Sequence, residues 1–158
     1  MLRAGRFPLR RRDMSILRVR ELLKQLIASK EPPGRIATAF AMGVFIGMSP
    51  FLGVHTVLGL ALAWVFRLNK LITLMGVYIT NPWTIVPIYT LGTWFGTRLM
   101  GMHSVVPEID WSNMTLLGFF SSFRPLILPF LIGNTLMGAV AAALSYAIVL
   151  RAVKASRG

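Results

Sequence analysis

Two long apolar stretches of this chain are each interrupted near the middle by a polar residue followed by proline. The first runs from Ile36 to Phe66 and contains Ser49-Pro50, and the second runs from Leu71 to Thr97 and contains Asn81-Pro82. As a straight helix the first stretch would be about 46 Å long, whereas the hydrocarbon core of a bilayer is about 30 Å thick. Proline in a helix interior also removes a backbone donor. The sequence therefore predicts broken or re-entrant helices at Ser49-Pro50 and Asn81-Pro82.

The composition favours a membrane protein. Of the 158 residues, 55% are hydrophobic and only 14% are charged. Soluble domains carry more charge, so we expect an all-α membrane protein in which the broken segments pack with a C-terminal transmembrane helix at 125–150. Residues 34–152 would form a single integral membrane domain. Basic cytoplasmic segments would flank it at 1–33 and 153–158.

The distribution of basic residues predicts the orientation. The chain has 17 lysines and arginines against 5 acids, and most of the basic residues precede the first apolar stretch. By the positive-inside rule the N-terminus is cytoplasmic, and Arg151, Lys154 and Arg157 place the C-terminus on the same side. Apolar residues recur at helical spacing over 14–29, which predicts an amphipathic helix on the membrane surface.

The positions of basic residues also indicate whether each apolar stretch crosses the membrane or re-enters it. Arg35 and Arg67 lie at the two ends of the first stretch. If both face the cytoplasm, this stretch is a re-entrant hairpin whose tip includes 49–53; the alternative is a single tilted and kinked span. The second stretch either crosses the membrane or re-enters it, and the role of 111–123 is left open. Close helix packing is predicted at four glycines: Gly43, Gly47, Gly133 and Gly138.

Acidic and thiol side chains are scarce, which excludes several kinds of chemistry. No carboxylate lies between Glu31 and Glu108, and the chain has no cysteine. Paired-carboxylate catalysis inside the membrane and thiolate chemistry are therefore excluded. His55 and His103 have no third ligand at a spacing typical of a metal site. We expect no catalytic residues, no metal and no cofactor.

The second break is the sharpest candidate site. Asn81 precedes Pro82 and can cap a new half-helix whose first turn includes Thr84. The amides and positive dipole end of such a helix favour an anion at mid-membrane depth, although capping alone also explains Asn81. Ser49-Pro50 has the same chemistry, so two half-helix starts would converge on one anionic group if the breaks meet.

Polar residues just after the first break and at the ends of the first stretch are further candidates. His55 and Thr56 lie one turn beyond Pro50, where an imidazole could relay a proton, bind the ligand or hydrogen-bond a neighbouring carbonyl. At the cytoplasmic surface, lipid phosphate could be held by three basic side chains, which otherwise act only as topology anchors: Arg35, Arg67 and Lys70.

The middle of the chain resembles a known bacterial family. Residues 36–101 carry its motifs, which are Ser49-Pro50 followed by Gly53-Val54-His55-Thr56, the turn Arg67-Leu68-Asn69, and Thr80-Asn81-Pro82-Trp83-Thr84. This combination resembles the family named domain of unknown function 2062. The resemblance implies a small bacterial inner-membrane protein of undefined activity. Some relatives join the module to a glycosyltransferase that uses lipid-linked sugars, but no transferase activity is carried over because this sequence shows no soluble catalytic domain.

Two functions remain open from the sequence. The first is a carrier or binder of an anionic, lipid-linked substrate that is held by the two proline breaks. The second is a non-catalytic structural or accessory subunit of a membrane or envelope complex. Expected partners are membrane lipids and either a second copy of the chain or a larger membrane complex. Nucleic-acid binding is not expected, because an anionic bilayer surface lies next to the basic N-terminus.

Overall fold

The computed structural model of the protein describes residues 31–51, 53–102 and 122–157. Over these ranges the chain forms helices and no strands, which confirms the all-α prediction. The helices are α1 (Pro33–Met48), α2 (His55–Val65), α3 (Lys70–Val77), α4 (Pro82–Leu99) and α5 (Arg124–Arg157). The amphipathic helix predicted at 14–29 lies outside the described residues, as does 111–121.

The C-terminal helix is the element that resembles a membrane span. α5 has 34 residues and a mean hydropathy of 1.9 over its most apolar window. Among the described helices it is the one long and apolar enough to cross a bilayer. It extends beyond the predicted end at 150: residues 153–157, expected to form a tail, continue the same helix. The reason is packing, because Val153 is buried against Ile36 and Ile72.

The first apolar stretch doubles back on itself. α1 and α2 are joined through 49–54, and the guanidinium of Arg35 at the start of α1 donates a hydrogen bond to the carbonyl of Arg67 just after α2. The start of α1 and the end of α2 therefore lie together at one end of the molecule. We call this end, which also contains Glu31 and Arg157, the basic end.

The second apolar stretch runs away from the basic end in two halves. α3 packs in parallel against α1, since Gly43 faces Thr73 and Gly76 while Gly47 faces Val77. After 78–81 the chain continues as α4, which packs against the N-terminal part of α5.

The long α5 packs against both α4 and α1. Its Gly133 lies against α4, whereas Gly138 lies against Phe45 and Met48 of α1. At its end, Arg157 donates a hydrogen bond of 2.7 Å to the carbonyl of Glu31 at the basic end. Both helical breaks therefore lie near the middle of the molecule, between the two ends of α5.

Large apolar side chains cover much of the outer surface. Trp64 is 71% exposed and Trp83 is 90% exposed, whereas the buried core is small and consists of aliphatic residues on α1, α2, α3 and α5. Extensive apolar exposure is unusual for a monomer in water and is typical of a surface that faces lipid or protein. The fold thus supports membrane association of the chain.

Candidate functional site

The first break is the C-terminus of a helix. Ser49 is 1% exposed and follows the last residue of α1. Both its amide and its hydroxyl donate to the carbonyl of Phe45, at 2.9 Å and 2.7 Å. Its own carbonyl accepts a 3.0 Å hydrogen bond from the hydroxyl of Tyr89 on α4. Ser49-Pro50 was expected to start a half-helix, but it ends one, because Ser49 closes the last turn and Pro50 cannot continue it.

The second break has the predicted geometry of a helix start. Asn81 Oδ1 accepts from the amides of Trp83 at 2.9 Å and Thr84 at 3.0 Å. The Thr84 hydroxyl accepts from the Asn81 amide at 2.9 Å, which completes a capping box. Pro82 has no amide hydrogen, and the amide of Ile85 donates to the Asn81 carbonyl at 2.9 Å. The first turn of α4 therefore has no free N–H for an anion, and capping accounts for Asn81, Pro82 and Thr84.

The start of α2, which follows the first break, has no side-chain cap. Val54 occupies the cap position and provides no side-chain hydrogen bond, and His55 is the first residue of the 11-residue helix. Its first-turn amides, those of His55, Thr56 and Val57, have no intrahelical partner. The preceding Gly53 has φ of +86°, and a Cβ there would meet no atom of the described residues within 4 Å. The sequence thus indicated His55 and Thr56 as candidate site residues, but it placed the helix start at Ser49-Pro50. In the structure the helix starts several residues later, at His55.

Two buried polar atoms lack a hydrogen-bond partner in the part of the chain that the structure describes. They are Thr80 Oγ1, in the second break, and Asn134 Oδ1, on α5. Asn134 donates through Nδ2 to the carbonyl of Phe130 at 2.9 Å. Its side chain faces Gly92, where a Cβ would lie 2.2 Å from Oδ1. This contact gives Asn134 a structural role in helix packing, while the sequence analysis named Thr80 only within the family motif and not as a candidate site residue.

Tyr89 is a further residue that the sequence did not single out. Besides its hydrogen bond to Ser49, its ring packs edge-on against Phe130 with ring centroids 5.2 Å apart. It therefore links α1, α4 and α5 at the level of the first break. Its phenol hydroxyl in the middle of the second apolar stretch was the available signal, because a buried tyrosine hydroxyl usually has a partner.

The basic end brings the three predicted phosphate ligands into one region. Arg35 donates to the Arg67 carbonyl, and Lys70 begins α3 directly after the turn. A recess of about 570 Å³ lies beside this turn and is lined in part by Trp64, Arg67 and Lys70. Among the described residues, no group of three histidine, cysteine, aspartate or glutamate side chains could hold a metal ion.

The glycines lie where helix backbones approach closely. A Cβ at Gly43 would lie 2.0 Å from the Thr73 carbonyl oxygen, and one at Gly133 would lie 1.8 Å from that of Gly92. Gly47 is also tight, with the Val77 carbonyl oxygen at 2.7 Å, whereas Gly138 is looser at 3.4 Å from its nearest neighbour. The matching glycines on the partner helices had not been predicted: Gly76, Gly92 and Gly96.

Comparison with known proteins identifies the family. A family model described as an uncharacterized protein conserved in bacteria, domain of unknown function 2062, matches residues 17–158. No curated protein and no solved structure matches the chain. The resemblance inferred from the two break motifs is therefore confirmed, and the chain belongs to the domain of unknown function 2062 family.

Proposed function

We propose that the chain is a multi-pass inner-membrane protein in which α3–α4 and α5 are two complete crossings. The basic residues at the two ends support this arrangement. Arg124 and Arg151 bound a segment of α5 without charged residues that is about 40 Å long, and Lys70 and Arg98 bound a similar segment of α3–α4. A bilayer with its headgroup regions is about 40–45 Å thick. The positive-inside rule then orients the basic end, and with it the C-terminus, toward the cytoplasm.

In this arrangement α1 and α2 are a re-entrant hairpin. α1 has 16 residues, so it reaches about 24 Å from the basic end, which is less than the membrane thickness. The turn before α2 therefore lies within the membrane. Lipid chains offer no partner for free amides, so non-helical backbone at this depth requires cover by protein or by a polar cavity.

The proposed function is to bind or carry an anionic, lipid-linked substrate whose charged group contacts the start of α2. The observation that carries this proposal is the uncapped first turn at His55, with open space beside Gly53. Free amides and the helix dipole favour an anion there, and His55 and Thr56 add side-chain donors. The second break is assigned a structural role, because its capping box already occupies the amides of α4.

The test is a substitution that adds a side-chain cap to the start of α2. Val54→Asn places an amide oxygen where it can accept from the first-turn amides, so it competes with the substrate. Phosphatidic acid bound to the detergent-purified protein is counted by native mass spectrometry, with diacylglycerol as the uncharged probe and Val54→Leu as the matched control. Because a cap is worth about 1 kcal/mol, we expect Val54→Asn to weaken binding about fivefold. Unchanged affinity for phosphatidic acid would refute the proposed site.

The second candidate function is that of a structural or accessory subunit. It is favoured by Phe51 and Val54, which are 49% and 51% exposed on either side of the turn and offer an apolar contact for another protein. On this reading a partner subunit covers the free amides. Phe51→Glu would then dissociate a larger complex on native gels, while Val54→Asn would leave phosphatidic acid binding unchanged.

A further inference from the structure

A second region with binding properties lies at the basic end, far from the start of α2. It is the recess of about 570 Å³ between the last turn of α2 and the start of α3. We refer to it as the basic recess. Its lining combines two cations, an indole and aliphatic side chains: Ala63, Trp64, Val65, Arg67, Leu68 and Lys70.

The backbone at Arg67 is unusual for this residue type. Its φ is +51°, and among the described residues it is the non-glycine position with positive φ. The amide of Leu68 donates to the Ala63 carbonyl at 2.8 Å and that of Arg67 donates to the Trp64 carbonyl at 3.1 Å, which is a Schellman motif with Arg67 at the position that glycine usually occupies. Arg67 therefore carries a side chain in a backbone conformation that favours glycine. Residues in such conformations cluster at functional sites.

Within the described residues, no ion pair neutralises the two cations of the recess. Glu31 is the one carboxylate in the described part of the chain, and its Oε1 accepts a 2.9 Å hydrogen bond from Asn69 Nδ2. Neither Arg67 nor Lys70 forms an ion pair within the described residues. Asn69 Oδ1 accepts from the amides of Leu71 and Ile72, so the α3 start is capped and the lysine ammonium is not needed there. Two neighbouring cations that form no ion pair with a described carboxylate favour a phosphate.

The apolar side chains of the recess indicate which kind of phosphate compound it binds. Trp64 is 71% exposed and Val65 is 62% exposed, directly beside the two cations. An exposed indole next to basic residues is typical of the membrane interface, where the ring contacts the glycerol and upper acyl region. A free phosphate ion would not use these side chains, whereas a phospholipid would use both parts of the recess.

We propose that the basic recess binds an anionic phospholipid of the cytoplasmic leaflet, with Arg67 and Lys70 on the headgroup phosphate and Trp64 on the glycerol region. The site depends on the membrane orientation proposed above, but it does not depend on a substrate at the start of α2. Arg35 contributes indirectly, because its guanidinium holds the Arg67 carbonyl.

Arg67→Gly tests this proposal without weakening the turn, because glycine is the residue that the left-handed position favours. Lys70→Gln is the second variant. Arg98→Gln is the matched control. Arg98 is an exposed arginine 5.6 Å from the Trp94 ring centroid, and both residues belong to α4, which does not line the basic recess. Retained phosphatidylglycerol and phosphatidylcholine are measured by native mass spectrometry, and thermal unfolding is measured for each variant.

We expect the wild-type protein to retain phosphatidylglycerol over phosphatidylcholine, and Arg67→Gly and Lys70→Gln each to weaken that retention about tenfold. Arg98→Gln should not change it, and Arg67→Gly should unfold at the same or a higher temperature than wild type. Full retention of phosphatidylglycerol by Arg67→Gly would overturn the proposal. Displacement of the lipid by millimolar inorganic phosphate would overturn it too, because the recess would then bind a free anion. Val54→Asn should leave this binding intact, so failure at either site is recognised separately.

Discussion

The crossing of α4 and α5 allows a sharp test of the packing. A Cβ at Gly133 would lie 1.8 Å from the carbonyl oxygen of Gly92 and 2.7 Å from the amide nitrogen of Gly96. Ordinary contact begins near 3.4 Å, so Gly133→Ala requires the two backbones to separate by about 1.6 Å. Backbone atoms cannot rotate away as a flexible side chain can, so the helices themselves must move.

The expected magnitude follows from comparison with a second glycine of α5. Overpacking of this kind costs about 1–3 kcal/mol, whereas alanine gains about 1 kcal/mol of helix propensity over glycine. At Gly138 the nearest atom to an added Cβ is 3.4 Å away, so Gly138→Ala has the gain without the clash. Because both variants share the propensity term, Gly133→Ala should be less stable than Gly138→Ala by about 1–3 kcal/mol.

Denaturant unfolding of the two variants in the same detergent measures this difference. The Gly138→Ala protein should unfold at or above the wild-type midpoint, and the Gly133→Ala protein clearly below it. If the two midpoints coincide, α4 and α5 do not approach at Gly92 and Gly133 as described, and the packing argument for this crossing is wrong.

Three further predictions concern the turns and the topology. Asn81→Ala should lower the free energy of unfolding by about 1 kcal/mol, as loss of a helix cap does, with Asn81→Asp close to wild type in denaturant unfolding. Arg67→Gly should raise it by up to about 1 kcal/mol in the same assay, since the left-handed turn no longer carries a side chain; a loss would contradict the Schellman geometry. The chain has no native cysteine, so single cysteines can replace Arg35, Asn69 and Phe51. Those at positions 35 and 69 should react with a membrane-impermeant maleimide from the same side, and one at position 51 should react only if a polar cavity reaches it. Labelling of positions 35 and 69 from opposite sides would exclude the hairpin.

The two proline breaks look alike in the sequence but differ in the structure. A polar residue before proline can end one helix or cap the next, and the dipeptide alone does not distinguish these roles. Asn81 has Thr84 three residues later, which makes the capping box readable from the sequence. Ser49 instead forms hydrogen bonds backward to Phe45 and accepts one from Tyr89, which is 40 residues away. That long-range contact is not encoded by local spacing.

The packing glycines were predicted on one side of each helix crossing only. Gly43 and Gly47 form an evident small-residue ridge on α1. Their partner Gly76 lies in a short helix with no second glycine at that spacing, so it becomes recognisable only when α3 is docked. On α4, Gly92 and Gly96 lie four residues apart and form such a ridge in the sequence, although they were not among the predicted packing positions; in the structure Gly133 lies against both, and Asn134 lies against Gly92. Which glycine opposes which depends on crossing angle and register, which are properties of the packed pair.

The sequence by itself determined the helical class, the positions of the breaks, the cap at Asn81 and the basic ends, because these depend on local hydropathy, on proline and on charge. Only the tertiary structure decided that Ser49 closes a helix, that the start of α2 lacks a side-chain cap, and that Arg67 has a left-handed backbone beside the basic recess. The physical reason is that each of these depends on where freed backbone groups find partners. Some of those partners, such as Tyr89 for Ser49 and Arg35 for Arg67, lie more than thirty residues away.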